Sequence, residues 1–311
     1  MDLTAKNVVV TGGAGLVGSH LAALLAPDND VTVVDDLSKG DRANVPDGVD
    51  FLRADLLDPD DVAAAVTEET EVVFHLAAHT DVRTDGPAEE RRVFEENTAM
   101  TYAVVERMRE VGCDALAFTS SSTVYGEAPR PTPEDHPPEP ISVYGASKLS
   151  DEGVLSTMAH SHGIRTWVVR FANIVGPGQR GNVIPDFIRK LRADPDSLTV
   201  LGDGRQEKSY LHVEDCVEAI HHVVEHADEP YDVYNLGSET TTSVTRIADV
   251  VAEEMGLNPT YEFTGGDRGW TGDVPRMRLS VEKLAALGYD VPESSDAAVR
   301  KATRQLVEEL A

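Results

Sequence analysis

A tyrosine and a lysine stand four residues apart in the segment 143–148, which reads VYGASK. At this spacing on a helix, the side chains of Tyr144 and Lys148 lie on one face, one turn apart. A phenol titrates near pH 10, and a neighbouring ammonium group favours its ionised form. The pair therefore predicts a tyrosine that can act as a general base near neutral pH, whereas an ordinary surface pair would do no chemistry.

A glycine-rich segment close to the start of the chain, VVVTGGAGLVGSH, contains Gly12, Gly13, Gly15 and Gly18. It fits G-x-G-x-x-G from Gly13 and G-x-x-G-x-x-G from Gly12. The segment follows a β-branched run and opens an apolar helical pattern. In that context small residues let the backbone approach a pyrophosphate at a helix N-terminus. The segment predicts a dinucleotide site, the alternative being a purely structural tight turn.

Acidic residues follow the second and third predicted strands. A carboxylate at Asp35 or Asp36 can accept hydrogen bonds from adenosine ribose hydroxyls and would repel a 2′-phosphate, which favours NAD over NADP. Asp36 could equally be a turn residue. Asp55, in RADLLD, either holds the adenine edge or caps a turn.

Buried runs at 8–10, 31–34, 49–53, 72–75, 116–119 and 166–170 alternate with helical patterns near 61–69 and 92–111. This alternation predicts an α/β fold: a Rossmann-type, doubly wound parallel sheet with a smaller α/β substrate-binding lobe. We expect an NAD-binding domain over 1–173, to which 208–236 returns, and a smaller substrate lobe from 174–207 and 237–311.

The chain carries 55 acidic against 27 basic residues, a net charge of −28. Such a surface repels nucleic acid and anionic membranes, and no apolar run is long enough to span a bilayer. The N-terminal segment enters a strand without a signal-like pattern, so we expect a cytoplasmic protein. The dispersed acids suggest a halophilic adaptation to a salt-rich cytoplasm. Cys113 and Cys216 show no metal-binding spacing, and no metal is expected.

Together the motifs resemble the extended short-chain dehydrogenase/reductase proteins that act on nucleotide sugars. The resemblance covers essentially the whole chain and rests on TGGAGLVGSH, VVDDLS, HLAA, SSSTVYG, YGASK and RFANIVGPG, with GDGRQEKSYLHVEDC and DRGWTGDVP in the second half. Within this family the chain is most similar to UDP-glucose (UDP-galactose) 4-epimerases.

The resemblance implies NAD as cofactor and inversion at C4 of a UDP-hexose through a transient 4-keto intermediate. Tyr144 would take the 4-hydroxyl proton, Lys148 would also hold the nicotinamide ribose, and Ser121 would hydrogen-bond the same substrate oxygen. The implied cofactor-binding residues are Gly12, Gly15, Leu16, Val17, Gly18, Asp35, Asp36, Asp55, Leu56, Leu76, Ala77, Ala78, Asn97, Tyr144 and Lys148.

A nucleotide diphosphate needs basic and amide groups. Asn173 matches the family's diphosphate-contacting Asn, and Arg268 looks like its phosphate-binding Arg, with a longer spacing to the following Gly-Asp. Lys208 stands where many relatives have Arg; it keeps the charge but loses the planar fork. Trp270 either packs on the sugar or fills the small lobe. The predicted substrate-binding set is Ser121, Ser122, Tyr144, Asn173, Lys208 and Arg268.

Enzymes of this family with other activities have different residues directly after the catalytic serine. The 4,6-dehydratases place Asp and Glu after it, where this chain has Ser122 and Thr123. UDP-glucuronate or UDP-N-acetylhexosamine 4-epimerase and a nucleotide-sugar dehydrogenase are the alternative enzymes; a non-catalytic NAD sensor is disfavoured because Ser121, Tyr144 and Lys148 are all present. The family also implies a homodimer through two helices per subunit, one of them carrying the Tyr–Lys pair.

Overall fold

The computed structural model describes residues 1–80, 86–269 and 272–310. Its first half alternates strands and helices as the sequence predicts. The elements are β1 (Asn7–Thr11), α1 (Leu16–Leu25), β2 (Asp30–Asp35), β3 (Asp50–Arg53), α2 (Pro59–Ala65), β4 (Val72–His75), α3 (Pro87–Val111), β5 (Ala115–Ser121), α4 (Val143–His162) and β6 (Arg165–Phe171). Short 3-10 helices lie at Arg42–Asn44 and Ser122–Tyr125.

The second half has shorter strands. Its elements are β7 (Asn173–Val175), α5 (Val183–Ala193), β8 (Ser197–Val200), β9 (Glu207–Lys208), β10 (Tyr210–His212), α6 (Val213–His226), β11 (Tyr231–Leu236), β12 (Thr242–Ser243), α7 (Val244–Met255), β13 (Thr260–Phe263), β14 (Arg276–Met277), α8 (Glu282–Ala286) and α9 (Ser295–Glu309).

Seven strands form one sheet in the order β11-β6-β5-β4-β1-β2-β3, and every neighbouring pair in it is parallel. The strand order reverses between β1 and β4, so the chain leaves these two strands in opposite directions along the sheet. In such sheets ligands bind beyond the carboxyl ends of the strands at this switch point. The predicted Rossmann-type fold is confirmed.

Apolar side chains cover both faces of the sheet, which is why its strands read as continuous β-branched runs. Val8 and Val10 belong to the core formed with α1 and α6. Val9 belongs to the core on the other face, formed with α2, α3 and α4. The two covered faces fix the strand ends, and therefore the site, in one place.

A third core joins α5, α7, α9 and β8. The segment between these elements turns back to the sheet, because β11 pairs with β6 and α6 packs in the core beside α1. We therefore propose the division already drawn from the sequence: 1–173 with 208–236, and 174–207 with 237–311. No helix in the described ranges is long and apolar enough to cross a membrane.

Candidate active site

A cavity of about 1420 Å³ opens at the carboxyl ends of β1 and β4 and extends to the third core. Most of the predicted site residues line it. They are Gly12, Gly15, Leu16, Val17, Gly18, Asp35, Asp36, Asp55, Leu56, Leu76, Ala77, Ala78, Ser121, Ser122, Tyr144, Lys148, Asn173 and Lys208. Two predicted residues, Asn97 and Arg268, do not line the cavity formed by the described part of the chain. Trp270 lies outside the described residues.

The glycine turn forms a cradle of bare backbone between β1 and α1. Gly12 has φ +66°, and its N–H donates to the carbonyl of Val34 at 2.8 Å. A Cβ at Gly12 would lie 2.7 Å from the nitrogen of Ala77. Gly15 is the N-cap of α1 and offers no side chain to the first-turn amides. A helix N-terminus with free amides and no side chains in front of it suits a pyrophosphate.

The Gly18→Ala variant should lose about 1–3 kcal/mol of stability, because overpacking at close backbone contacts costs that much. A Cβ at Gly18 would lie 2.3 Å from the carbonyl oxygen of Gly12, so the turn must open. Thermal unfolding and NAD titration measure the effect, and both should worsen together. Gly153→Ala on α4 is the control, since nothing lies within 4 Å of that added Cβ. Equal behaviour of the two variants would contradict the close-packed cradle.

Two neighbouring carboxylates at the end of β2 behave differently. Asp35 is buried, and its oxygens accept from the backbone N–H groups of Ala14 at 3.0 Å and Leu37 at 2.8 Å. Burial raises its pKa. Asp36 is exposed and accepts from the N–H of Ser38 at 2.8 Å, the turn role that the sequence left open. The fixed position of Asp35 makes it the better placed acceptor for ribose hydroxyls.

Asp55 also caps a turn: its carboxylate accepts from the N–H of Leu57 at 2.9 Å. Its own N–H donates to Asp61 at 2.8 Å. The next residue, Leu56, is buried and offers an apolar wall to the cavity. The structure shows the capping role, and the contact with the adenine edge stays a prediction.

Asn97 on α3 is buried behind the cavity wall. Its side-chain oxygen accepts from the N–H of His79 at 2.7 Å, and its amide donates to the His79 carbonyl and the Ser147 hydroxyl, both at 3.1 Å. These bonds brace the segment after β4 against α4. The predicted contact between Asn97 and the cofactor has no support from this geometry, because the amide is engaged by the protein itself.

The histidines after β4 have structural partners. His75 is fully buried between the hydroxyls of Thr11 at 2.7 Å and Thr101 at 3.3 Å. Burial lowers its pKa to about 3, so the ring is neutral at physiological pH. His79 pairs with Glu96 at 2.6 Å. In the described part of the chain, no group of three or more His, Cys, Asp or Glu residues could hold a metal ion.

Tyr144 and Lys148 lie on the first turns of α4, whose N-cap Ser142 accepts from the N–H of Gly145 at 3.1 Å. A Cβ at Gly145 would lie 2.6 Å from the carbonyl oxygen of Thr123, so the helix packs closely against the turn after β5. That contact brings Tyr144 near Ser121, whose side chain acts to lower the pKa of the phenol. The sequence-predicted trio therefore converges at one point of the cavity.

The sequence predicts that Lys148 lowers the pKa of Tyr144, but in the protein without cofactor the pKa of Tyr144 is raised. Burial, followed by the carboxylate of Asp151, raises the pKa of Tyr144, and only the hydrogen bond from Ser121 opposes them. Burial likewise lowers the pKa of Lys148, whose ammonium lies 4.5 Å from the centre of the Phe118 ring. Desolvation disfavours the charged form of each group.

Behind the trio lies a buried network that sequence reasoning missed. Arg170 on β6 donates from Nε to Glu152 at 2.9 Å and from Nη2 at 2.6 Å. Ser120 donates to the same carboxylate at 2.5 Å, and Arg170 Nη1 donates to the Tyr125 hydroxyl at 2.6 Å. The network ties α4 to the strand that ends in Ser121. An Arg inside the apolar run WVVRF was the signal that could have revealed it.

The basic residues predicted for the substrate are paired within the protein. Lys208 contacts Asp273 at 2.6 Å, and Asp273 also accepts from the N–H of Gly269 at 3.0 Å. Arg268 donates to the carboxylate of Glu127 and, at 2.7 Å, to the carbonyl of Asp273. Arg268 thus pairs with Glu127 here, and its contact with the substrate phosphate stays a prediction.

Asn173 begins β7 at the cavity wall. Its side-chain amide donates to the carbonyl of Ser209 at 3.1 Å, and within the described ranges its oxygen accepts no hydrogen bond. Ser122 opens the 3-10 helix that follows Ser121 and lines the same wall. Both residues line the cavity that also holds Ser121, Tyr144 and Lys208. Polar side chains and the half-buried Lys208 ammonium therefore share one cavity.

Comparisons with known proteins agree with this arrangement. Residues 8–237 match the model of the NAD dependent epimerase/dehydratase family. A putative UDP-glucose 4-epimerase from Methanocaldococcus jannaschii is 31% identical over 291 residues, covering 91% of this chain and 92% of that protein.

Two solved structures are similar along their whole length. A UDP-galactose 4-epimerase is 41% identical with a TM-score of 0.89, covering 98% of this chain and 100% of that one. A UDP-glucuronic acid 4-epimerase from Bacillus cereus, in complex with UDP-glucuronic acid and NAD, is 25% identical with a TM-score of 0.89 and the same coverage. The fold, the glycine cradle and the matched family model lead to one assignment: the chain belongs to the NAD dependent epimerase/dehydratase family.

Proposed function

We propose that the protein is an NAD-dependent UDP-glucose (UDP-galactose) 4-epimerase. The observation that carries the proposal is the convergence of Ser121, Tyr144 and Lys148 at the wall of the cavity that also contains the glycine cradle. Ser122 and Thr123 stand where an eliminating enzyme of this family would need acids. The similarity to UDP-hexose 4-epimerases along the whole chain supports the same activity.

The cradle fits a dinucleotide. A Cβ added at Gly18 or Gly12 would lie 2.3 or 2.7 Å from a neighbouring backbone atom. Side chains are therefore excluded where a pyrophosphate would lie. Asp35 would accept from the adenosine ribose, and Leu56 would cover the base. Lys148 would hold the second ribose. When bound, NAD supplies a hydride acceptor and donor and, in its oxidised form, a positive charge beside Tyr144.

The protein residues handle the proton. Tyr144 would take the proton of the 4-hydroxyl and return it after the sugar has turned over. Ser121 would donate a hydrogen bond to the same oxygen, and it already opposes the raised pKa of the tyrosine. The buried Lys148 ammonium would stabilise the phenolate electrostatically. The carboxylate of Glu152, on the same helix, pairs with Arg170.

The nucleotide end of the substrate would lie toward the third core. Lys208 would give charge to the diphosphate, although Asp273 partly neutralises it. Asn173 would contribute an amide. We expect Arg268 to reach the diphosphate only if it leaves Glu127, so its contribution depends on the substrate.

A proton NMR time course with the protein, NAD⁺ and UDP-galactose in high salt tests the proposal. Formation of UDP-glucose without net NADH would establish 4-epimerisation. UDP-N-acetylgalactosamine and UDP-galacturonate, offered in parallel, separate the alternative epimerases, and steady NADH formation would identify a dehydrogenase. No conversion of UDP-galactose by folded, NAD-bound protein would refute the assignment.

We further propose a homodimer formed through α3 and α4. Phe94 and Tyr102, large apolar residues eight positions apart on one face of α3, are 38% and 47% exposed. Tyr102 lines a shallow groove with Ala99 and Ala103 of α3 and Val154 of α4, and Glu95 and Glu106 line it too. Contiguous apolar surface of this kind marks an interaction site.

The Tyr102→Glu variant should therefore be monomeric, because it places a charge at the centre of the apolar face. Light scattering at micromolar concentration checks this against the wild type. Glu262→Gln, an exposed change on β13, is the control and should leave the mass unchanged. A monomeric wild type would contradict the proposed interface.

We also propose that the protein acts in a salt-rich cytoplasm. A net charge of −28 creates self-repulsion that salt screens, since the Debye length falls from about 10 Å at 0.1 M to about 3 Å at 1 M. The thermal midpoint and the activity should both rise between 0.1 and 2 M KCl. Full folding and activity without added salt would sink the halophilic interpretation.

A further inference from the structure

Thr123 has no part in the reaction proposed above, but it makes two hydrogen bonds to the side-chain oxygen of Ser121. Its backbone N–H donates to Ser121 Oγ at 3.2 Å, and its hydroxyl donates to the same atom at 2.9 Å. Both bonds are set by the 3-10 helix Ser122–Tyr125, for which Ser121 is the N-cap. A hydroxyl has two acceptor lone pairs and one proton. Thr123 therefore fills the entire acceptor capacity of Ser121.

We propose that Thr123 is a positioning residue that makes Ser121 an obligatory hydrogen-bond donor, toward Tyr144 or, when substrate is bound, toward the reacting oxygen. With both lone pairs occupied, the proton of Ser121 is its only remaining hydrogen-bonding group. Ser121 and Tyr144 line the same cavity, and the Ser121 side chain opposes the raised pKa of the phenol. A serine whose proton points at that oxygen stabilises the phenolate, whereas a serine that accepts from the phenol would hold it protonated.

The backbone of Thr123 acts on the same geometry from the other side. Its carbonyl oxygen lies 2.6 Å from where a Cβ at Gly145 would stand, so the turn and α4 are in close contact. One residue thus sets both the direction of the Ser121 proton and the distance from Ser121 to the helix that carries Tyr144. This inference rests on the proposed function for its kinetic test but not for its spectroscopic one.

The Thr123→Val variant keeps the backbone donor and the shape but removes the hydroxyl. One lone pair of Ser121 is then free, and its proton is no longer restricted to the direction of Tyr144. We expect kcat at pH 7 to fall about tenfold, with KM changed less than twofold, and the acid limb of the pH–rate profile to move up by about one unit. Thr123→Ser should restore both. Thr157→Val, an exposed change on α4, should alter neither.

A second measurement separates this inference from the proposed function. In NAD-bound protein carrying 13C-labelled tyrosine, the Tyr144 resonance is assigned by its absence in Tyr144→Phe. Its titration midpoint should rise in Thr123→Val and return in Thr123→Ser. A wild-type pH profile and midpoint in Thr123→Val would overturn the inference. So would a loss of activity with an unmoved midpoint that Thr123→Ser does not rescue. If the wild type is inactive on UDP-galactose, the proposed function is refuted, and the titration midpoints of Tyr144 still test the role of Thr123.

Discussion

The Tyr144→Phe variant is expected to lose about a thousandfold of the wild-type kcat for UDP-galactose, within the range that general acid–base groups contribute. The phenyl ring keeps the shape of the side chain and removes only the oxygen that exchanges the proton. Ser121 and Lys148 remain in place but have no group to accept the 4-hydroxyl proton. NMR time courses with equal amounts of both proteins measure the ratio.

Loss of folding would give the same kinetic result, so binding and stability are the necessary controls. Tyr144→Phe should retain NAD and keep its thermal midpoint, because removing one hydroxyl at the cavity wall leaves no charge unpaired. Tyr261→Phe, which loses a hydroxyl bonded to Asp249 at 2.9 Å in the small lobe, should stay active. An unchanged rate in Tyr144→Phe would exclude this tyrosine as the base.

The parts of the site that sequence predicted are those determined by local spacing. Gly18 needs bare backbone because an added Cβ would meet Gly12, only a few residues away. Tyr144 and Lys148 share a face because a helix repeats every 3.6 residues. The parallel sheet follows from apolar runs separated by helical patterns. Such features require no knowledge of which distant elements meet.

The features that sequence did not predict depend on contacts between distant segments. Arg268 turns to Glu127, which lies 141 residues away, and no local pattern specifies that choice. Asn97 braces His79 and Ser147 across two elements. The raised pKa of Tyr144 depends on how much water the assembled cavity excludes, a quantity that the Tyr–Lys spacing does not contain.

Breaking the ion pair between Glu152 and Arg170 by removing one partner should strongly destabilise the protein. The two side chains are 4% and 7% exposed and join through two parallel bonds of 2.9 and 2.6 Å. Arg170→Met leaves a buried carboxylate with only the Ser120 hydroxyl, which costs about 3–5 kcal/mol. For a chain of this size, that corresponds to a fall of about 5–8 °C in the thermal midpoint.

A double-mutant cycle decides whether the pair or only the loss of one partner is responsible. Removing both charges in Glu152→Met with Arg170→Met should be less harmful than Arg170→Met alone, because no buried charge is then left unpaired. Arg304→Met, which removes an exposed partner of Glu254, should cost less than about 1 kcal/mol. If Arg170→Met costs no more than Arg304→Met, the network does not hold α4 on the sheet. If it costs the expected amount, the turnover of the double variant shows whether the Tyr144 helix needs the charges themselves or only the filled space.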